Sequence, residues 1–289
     1  MDNKELKLII KNHRHWLDED ADNWRAMRAD LRDADLRDAD LKSVNLKEAN
    51  LWSANLRNAN LSYADLRDAN LRYANLRYAD LKEADLRDAD LRDADLRYAD
   101  LRFANLWSTN LSGANLEDAD LRYANLMGAN LRNANLYGTD LWSTNLCDAD
   151  LRGANLRGAN LRYADLKGAD LRGAKNVPYI PMVCPEEGDF IGYKKAHDKI
   201  VKLLIPKDAK RSSATTRKCR CNKAKVLGIY ELDGSVSNVT EVSSSRDSNF
   251  IYRINKEVVV EDFDEDRWHE CSTGIHFFMQ KQEAIDYQS

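Results

Sequence analysis

The sequence predicts a mainly β fold: a coiled solenoid with an N-terminal helical cap and a small C-terminal α+β domain. Three observations predict it. Leucine occupies every fifth position from Leu31 to Leu171 without exception, 29 times in all. Two residues before each Leu stands Ala, except at Val44, Thr109, Thr139 and Thr144, and the residue between is always Asp or Asn. The pattern stops after Leu171, and residues 175–188 hold three of the chain's four prolines.

A period of five fits neither the α-helix, at about 3.6, nor the alternation of a flat strand. Within one A-(D/N)-L-x-x unit, however, Ala and Leu are two apart. A strand-like segment puts both on one face and the Asp or Asn on the other. The two residues after Leu are mostly polar, so alternation breaks there and the chain must bend. Short extended pieces joined by regular bends close into a coil with Leu and Ala inside. Each buried Leu contributes on the order of 1.5–3 kcal/mol, so the row supplies a core beneath a charged exterior.

The bulk numbers agree. Of 289 residues, 43% are apolar and 32% charged, with a formal net charge of −4. That balance excludes a simple polycation for nucleic acid and a strongly acidic tail. No stretch of 18 apolar residues suggests a membrane span. The N-terminus lacks a signal-peptide cleavage pattern, which points to the cytoplasm. Five cysteines, an odd number, do not suggest a disulfide framework.

The unit resembles the pentapeptide repeat family, over half of the chain. The resemblance implies a right-handed quadrilateral β-helix (pentapeptide-repeat solenoid) with four units per coil. That gives about seven and a quarter coils and a rod of about 34 Å. The family includes proteins that resemble B-DNA in shape and charge and bind DNA gyrase, so gyrase or a topoisomerase is one implied partner. That reading requires a strongly negative face. Here 20 Lys/Arg interleave with 24 Asp/Glu over residues 29–173, and the chain lacks the loops that interrupt the rod in many gyrase-protecting members.

With a coil of 20 residues, positions 20 apart stack. One face then carries Arg72, Arg92, Arg132, Arg152 and Arg172, with Trp52 in phase. A second carries Arg37, Arg57, Arg77, Arg97 and Arg157 beside Tyr78 and Tyr98. A third carries Tyr63, Phe103, Tyr123 and Tyr163, and the fourth Lys47, Arg67 and Arg87, then Trp107, Met127 and Cys147. The Arg rows either hold an anionic or protein partner or serve solubility and cross-rung pairing. The aromatic row is a candidate hot-spot stripe, or simply stacks between rungs.

A solenoid needs capped ends. Leu6, Ile9, Ile10, His13 and Trp16 fall at helical spacing, so residues 1–28 are expected to form the cap, with Trp24 and Ala26 in a degenerate first unit. The solenoid spans 29–173, a linker 174–188 and the α+β domain 189–289. In that domain FIGYKKA and KIVKLLIP read as helices or strands, and KAKVLGIYEL and FIYRINKEVVVEDF as strands. GSVSNVTEVSSSRDSN reads as a polar loop or hairpin, CSTGIHFF as a buried strand and QKQEAIDYQ as a terminal helix. Through CPEEGDFIGYKKA, RSSATTRKCRC and ECSTGIHFF the segment resembles an uncharacterised domain that follows pentapeptide repeats in tailed-phage proteins. This implies a viral origin and a host-directed role.

Three chemistries are candidates in that domain. Cys184, Cys219, Cys221 and Cys271 with His197, His269 and His276 suggest zinc. The Cys219-x-Cys221 spacing is too tight for the usual ligand pair, so the cysteines are expected to be small buried free thiols and no metal site is expected. Cys271 and His276, five apart on a strand, point to opposite faces, which disfavours a dyad. The basic run from Lys207 to Lys225, with Arg217 and Arg220 at its centre among Ser212, Ser213, Thr215 and Thr216, reads as a loop able to hold phosphate oxygens, or as a solvated loop or strand. No Walker loop or dinucleotide-binding glycine pattern is present. The expected function is therefore non-catalytic binding of a host macromolecule, a protein, by a rigid solenoid. The opposing reading has the C-terminal domain binding or processing a phosphorylated small molecule or nucleotide. No cofactor, membrane or direct nucleic-acid partner is expected, and a homo-oligomer is open.

Overall fold

The computed structural model describes residues 2–180, 182–215, 217–269 and 272–287. The chain divides into two compact units, Met1–Tyr179 and Ile180–Ser289.

The first unit opens with α1 (Asn3–Asp18), whose N-cap Asp2 accepts hydrogen bonds from the Lys4 and Glu5 amides. Leu6 and His13 are buried. His13 stacks on Trp16 at 5.3 Å, and its Nδ1 accepts the Ala29 amide at 3.1 Å. The helix thus satisfies an otherwise open donor at the entrance of the first coil. Trp24 and Ala26 do not form a degenerate repeat unit; Trp24–Ala26 is a 3-10 turn. Asn23, left-handed at φ +61°, turns the chain before any strand-like pairing begins.

From Asp30 onward every Asp or Asn of the repeat bridges in parallel to the residue 20 positions later, from Asp30↔Asn50 to Asn155↔Lys175. Twenty residues therefore make one coil of four sides. Each unit donates its Leu amide and its second variable-position amide to the next coil, as Leu86 does to Asn105 at 2.7 Å and Asp88 to Trp107 at 3.1 Å. Its Asp or Asn amide reaches back, as from Asn105 to Ala84 at 2.9 Å.

Each corner is a turn closed by the Ala amide on the Leu carbonyl, as from Ala89 to Leu86 at 3.1 Å. The second variable residue has positive φ at all 29 corners, from +53° at Asp118 to +74° at Gly168. Positive φ at the second central residue alone defines a type II turn. Only seven of these corners are Gly. Twenty-eight of the 29 leucines are buried, and Leu161 of the last coil is half-buried. Where Thr replaces Ala, the hydroxyl is satisfied: Thr109, Thr139 and Thr144 donate to the carbonyls of Leu86, Leu116 and Leu121 at 2.7–2.8 Å.

The second unit is an antiparallel sheet with a short C-terminal helix. Its strands are β1 (Phe190–Ala196), β2 (Lys199–Ile205), β3 (Arg211–Ser213), β4 (Lys218–Cys221), β5 (Lys223–Glu231), β6 (Glu241–Ser243), β7 (Ile251–Arg253), β8 (Glu257–Val259) and β9 (Ile275–Phe278), followed by α2 (Lys281–Asp286). Seven strands run in the order β3-β4-β9-β1-β2-β5-β8, and β6 and β7 form a separate pair. FIGYKKA and KIVKLLIP are a strand pair, in register from Phe190↔Ile205 to Ala196↔Lys199. One face of the sheet carries the larger core, including Val201, Leu203, Val226, Tyr252 and Phe277. Ile200, Phe278 and Ala284 make a smaller one with α2. At Gly192 a Cβ would lie 2.5 Å from the Phe277 ring, so glycine lets that ring lie against β1.

The segment 174–188, expected as a linker, splits at the 179/180 boundary. Cys184 is part of the sheet's core. The Arg211 guanidinium holds the Pro185 and Gly188 carbonyls at 3.1 and 3.0 Å. Cys184, Pro185 and Gly188 are therefore tied to the sheet.

Candidate functional site

The repeat builds its own charge compensation. In each Asp-Leu-Arg triplet the Asp Oδ1 accepts the Arg amide while both carboxylate oxygens take the guanidinium. For Asp100 and Arg102 the fork distances are 2.9 Å to Nε and 2.7 Å to Nη2. At the exposed first coil, the Arg37 fork holds the Asp35 carboxyl down to about 2. Long-range contacts link successive rungs on the third face: Lys82 with Asp100, Arg102 with Asp120 and Arg122 with Asp140, at 3.5–3.9 Å. Where Asn takes the Asp position, amide ladders replace ion pairs, as from Asn125 to Asn105 at 3.2 Å.

This rule divides the Arg row that the sequence singled out. Arg92 and Arg152 are locked on Asp90 and Asp150. Arg72 and Arg132 follow Asn70 and Asn130, so neither has that fork. Arg72 instead lies 5.4 Å over the Tyr73 ring. The row is thus two kinds of residue. The fork was legible in the spacing, because Asp and Arg two apart on an extended chain share a face.

The aromatic row divides too. Phe103 and Tyr123 stack at 4.8 Å and an interplanar angle of 5°. Trp142 then meets Tyr123 edge-on at 4.7 Å and Tyr163 at 5.8 Å. Trp142 occupies the first variable position, not the second, so sorting by one phase missed it. Tyr63 does not join. The next rung of its column is Glu83, whose hydrogen bond raises the Tyr63 hydroxyl pKa. The result is a continuous strip, Phe103-Tyr123-Trp142-Tyr163, with Phe103 56% and Tyr163 80% exposed. It runs beside the Arg102 and Arg122 forks.

In the second unit the basic run is no phosphate loop. Arg211–Ser213 and Lys218–Cys221 pair as a hairpin, and alternation scatters its cations. Arg220 is fully buried, donates to the carbonyls of Asp264, Asp266 and Thr273 at 2.7–2.9 Å, and lies over Phe263. It is a clamp on the segment before β9. Arg217 pairs with Glu283, Lys210 with Glu265 and Lys223 with Asp208. Thr216 and Cys271 lie outside the described residues. Cys184, Cys219 and Cys221 are buried. His269 is held by Asp264 at 2.9 Å, and His197 approaches Ser243 at 3.3 Å. Among the described residues no group of three or more His, Cys, Asp or Glu is placed to hold a metal ion. The cations that line one cavity in this unit come from three different elements: Lys194 and Lys195 from β1, Lys218 from β4 and Arg246 from the segment after β6.

Comparison with known proteins matches the geometry. The family described as "Pentapeptide repeats (8 copies)" matches overlapping segments from 27–62 to 143–175. A "Family of unknown function (DUF5758)" matches 180–284. No curated protein matches the chain. Among solved structures, the chain is similar to HetL, a pentapeptide repeat protein involved in heterocyst differentiation regulation in the cyanobacterium Nostoc sp. strain PCC 7120. Identity is 31% over 58% of this chain and 97% of HetL, with a TM-score of 0.21. A pentapeptide repeat protein of the Arabidopsis thaliana thylakoid lumen is 32% identical over 36% of this chain and 69% of its own, with a TM-score of 0.25. QnrB1, a plasmid-mediated fluoroquinolone resistance protein, is 23% identical over 50% and 80%, with a TM-score of 0.26. Superpositions that weak add nothing to the argument. The unbroken repeat, its 20-residue register and the match across 27–175 do: the chain belongs to the pentapeptide repeat family, and its first unit is that family's right-handed quadrilateral β-helix.

Proposed function

We propose that this protein is a non-catalytic binding protein that presents the strip Phe103-Tyr123-Trp142-Tyr163 to a protein partner in the cytoplasm of a host cell. Pentapeptide repeat proteins are scaffold and binding proteins. The observation that carries the reading is the strip itself: four linked rings, largely exposed at Phe103 and Tyr163, on a rod whose neighbouring charges are neutralised in place. Aromatic side chains flanked by Arg are the groups that dominate protein–protein affinity. A folded rod holds them in place, so little ordering entropy opposes binding.

The DNA-mimic reading, with gyrase or topoisomerase as partner, is less well supported. It requires a face of net negative charge. On the strip's own face Asp100 and Asp120 are each forked by the Arg two residues on.

The test is affinity capture from host lysate with the full chain and with the Phe103→Ser/Tyr123→Ser double variant. Recovery of one stoichiometric protein by the first and not the second is expected. Equal recovery by both sinks the strip as the binding surface. In a supercoiling assay with purified gyrase, the chain should leave activity unchanged.

A further inference from the structure

The Asp-Leu-Arg fork leaves out three arginines on two adjoining sides of the rod. Asn55, Asn70 and Asn75 stand where Asp would serve Arg57, Arg72 and Arg77. Asn55 and Asn75 bridge, one rung apart, so Arg57 and Arg77 share a column, and Arg72 lies on the side before it. Among the described residues none of the three makes an ion pair. In the forks the Arg Nε donates to the Asp, as at Arg92 and Arg97. The Nε of Arg72 and of Arg77 is buried and meets no acceptor. The guanidiniums lie over tyrosine rings instead, Arg57 and Arg77 at 5.6 and 5.7 Å from Tyr78 and Arg72 at 5.4 Å from Tyr73. Arg72 Nη2 also reaches the Tyr73 hydroxyl, at 3.5 Å. We propose that Arg57, Arg72 and Arg77 form a second interaction surface, which binds an acidic segment of a protein partner. The partner's Asp and Glu carboxylates would take the guanidiniums that the repeat leaves without a carboxylate of their own.

The charge pattern supports this occupant. On these sides the two rungs read ANLWSANLRN (49–58) and ANLRYANLRY (69–78), with three Arg and neither Asp nor Glu. Asp90 and Asp95 of the next rung feel Arg72 and Arg77, but Arg92 and Arg97 already fork them. The rod itself shows the geometry on offer, since Arg and a carboxylate pair bidentately wherever the repeat supplies both. Trp52, Tyr73 and Tyr78 stand exposed among the three arginines, and Trp, Tyr and Arg are the side chains that dominate protein–protein affinity.

The surroundings favour a peptide over a nucleic-acid strand. A phosphate backbone needs a continuous basic groove. This patch is an island, with Asp33 and Asp38 exposed at the corners of the rung before it and Asp93 at a corner of the rung after it. An acidic segment needs only two or three carboxylates within reach. The patch is also separate from the aromatic strip, which begins at Phe103 on another side of the rod.

The test is calorimetric titration of the full chain with hexaglutamate and, in parallel, with a thymidine hexanucleotide. Hexaglutamate should bind, and more weakly as salt is raised. Asn70→Asp/Asn75→Asp places a carboxylate two residues before Arg72 and Arg77, as the repeat does on other rungs, and fills both forks from within. It should weaken hexaglutamate binding about tenfold or more. Arg77→Gln, which leaves Asn75 in place, should weaken it as well. Asn130→Asp/Asn155→Asp adds the same charge and fills the forks of Arg132 and Arg157, far along the rod, and should leave the binding unchanged. Because the readout is peptide binding and not capture from lysate, this surface and the strip can fail separately. No binding of hexaglutamate, affinity unchanged in Asn70→Asp/Asn75→Asp, an equal loss in Asn130→Asp/Asn155→Asp, or tighter binding of the hexanucleotide overturns the proposal.

Discussion

A left-handed backbone at the second variable position is the most demanding conformation the repeat imposes on a single residue. Non-glycine residues pay for it sterically, β-branched ones most. The chain meets this with Asp, Asn, Ser and Gly at most corners, and with aromatic rings where stacking returns part of the cost. At Asp88, φ +57°, Val should therefore lower solenoid stability by about 1–2 kcal/mol, while Gly should change it by only a few tenths. Urea midpoints of the two variants check this, and equal losses would refute the turn argument. His13 makes a second residue-scale prediction. Its Nδ1 must stay unprotonated to accept the Ala29 amide, and burial lowers its pKa below the ordinary 6.5. The unfolded chain then takes up the proton more readily than the folded one. The stabilisation is complete above pH 6.5 and fades as pH falls through the folded value. The cap should thus loosen as pH falls below 6.5, seen as faster amide exchange at Ala29. In His13→Gln, which cannot be protonated, that pH dependence should vanish.

At the scale of elements, the second unit depends on Arg220 more than its place in a basic run suggests. Three carbonyls of the segment preceding β9 share its guanidinium. Arg220→Met removes the donors and leaves buried acceptors unpaired, at a cost of about 3 kcal/mol. Hydrogen exchange should rise across 262–274, whereas Arg217→Met, on an exposed pair, should leave it unchanged. Lys194 should behave in the opposite way. Its folded pKa of about 8 lies below the ordinary 10.5, so the folded state carries a penalty in full below pH 8 that disappears by pH 10.5. Lys194→Met should raise the unit's stability on the order of 1–2 kcal/mol at pH 7, with the gain fading from pH 8 to 10.5. These cases also show what the sequence displays. The leucine core and the cap helix were legible because each is a local or strictly periodic pattern, while the coil of 20 followed only from the resemblance to the repeat family. The Asp-Leu-Arg fork was equally visible, as a spacing of two. The Lys194, Lys218 and Arg246 cluster was not, because its members come from β1, β4 and the segment after β6 and meet only through the strand order β4-β9-β1. A strand was open as one reading of the basic run, but its pairing as the β3–β4 hairpin was not, since a run of Lys, Arg, Ser and Thr shows no alternation until Cys219 and Cys221 are seen to be buried.

Across the whole molecule, the solenoid separates stability from surface pattern, because any deletion in multiples of five keeps Leu and Ala inside while only multiples of 20 keep the outer columns aligned. Removing residues 81–100 takes out one coil and joins Asp80 to Leu101, so the strip from Phe103 to Tyr163 survives. Removing 127–131 joins Leu126 to Arg132 and again preserves the repeat, but it rotates everything after the cut by one side of the coil. Trp142 then leaves the Tyr123 column, and their contact at 4.7 Å is lost. Repeat stabilities are approximately additive along a solenoid, so the shorter deletion should be the milder one in thermal or urea unfolding. Function should follow the reverse order. The 20-residue deletion should retain partner capture and the near-ultraviolet circular dichroism of the coupled rings, and the five-residue deletion should lose both. If the five-residue deletion still captures the partner, recognition does not use the aligned strip and must lie within a single side of the rod or in the second unit.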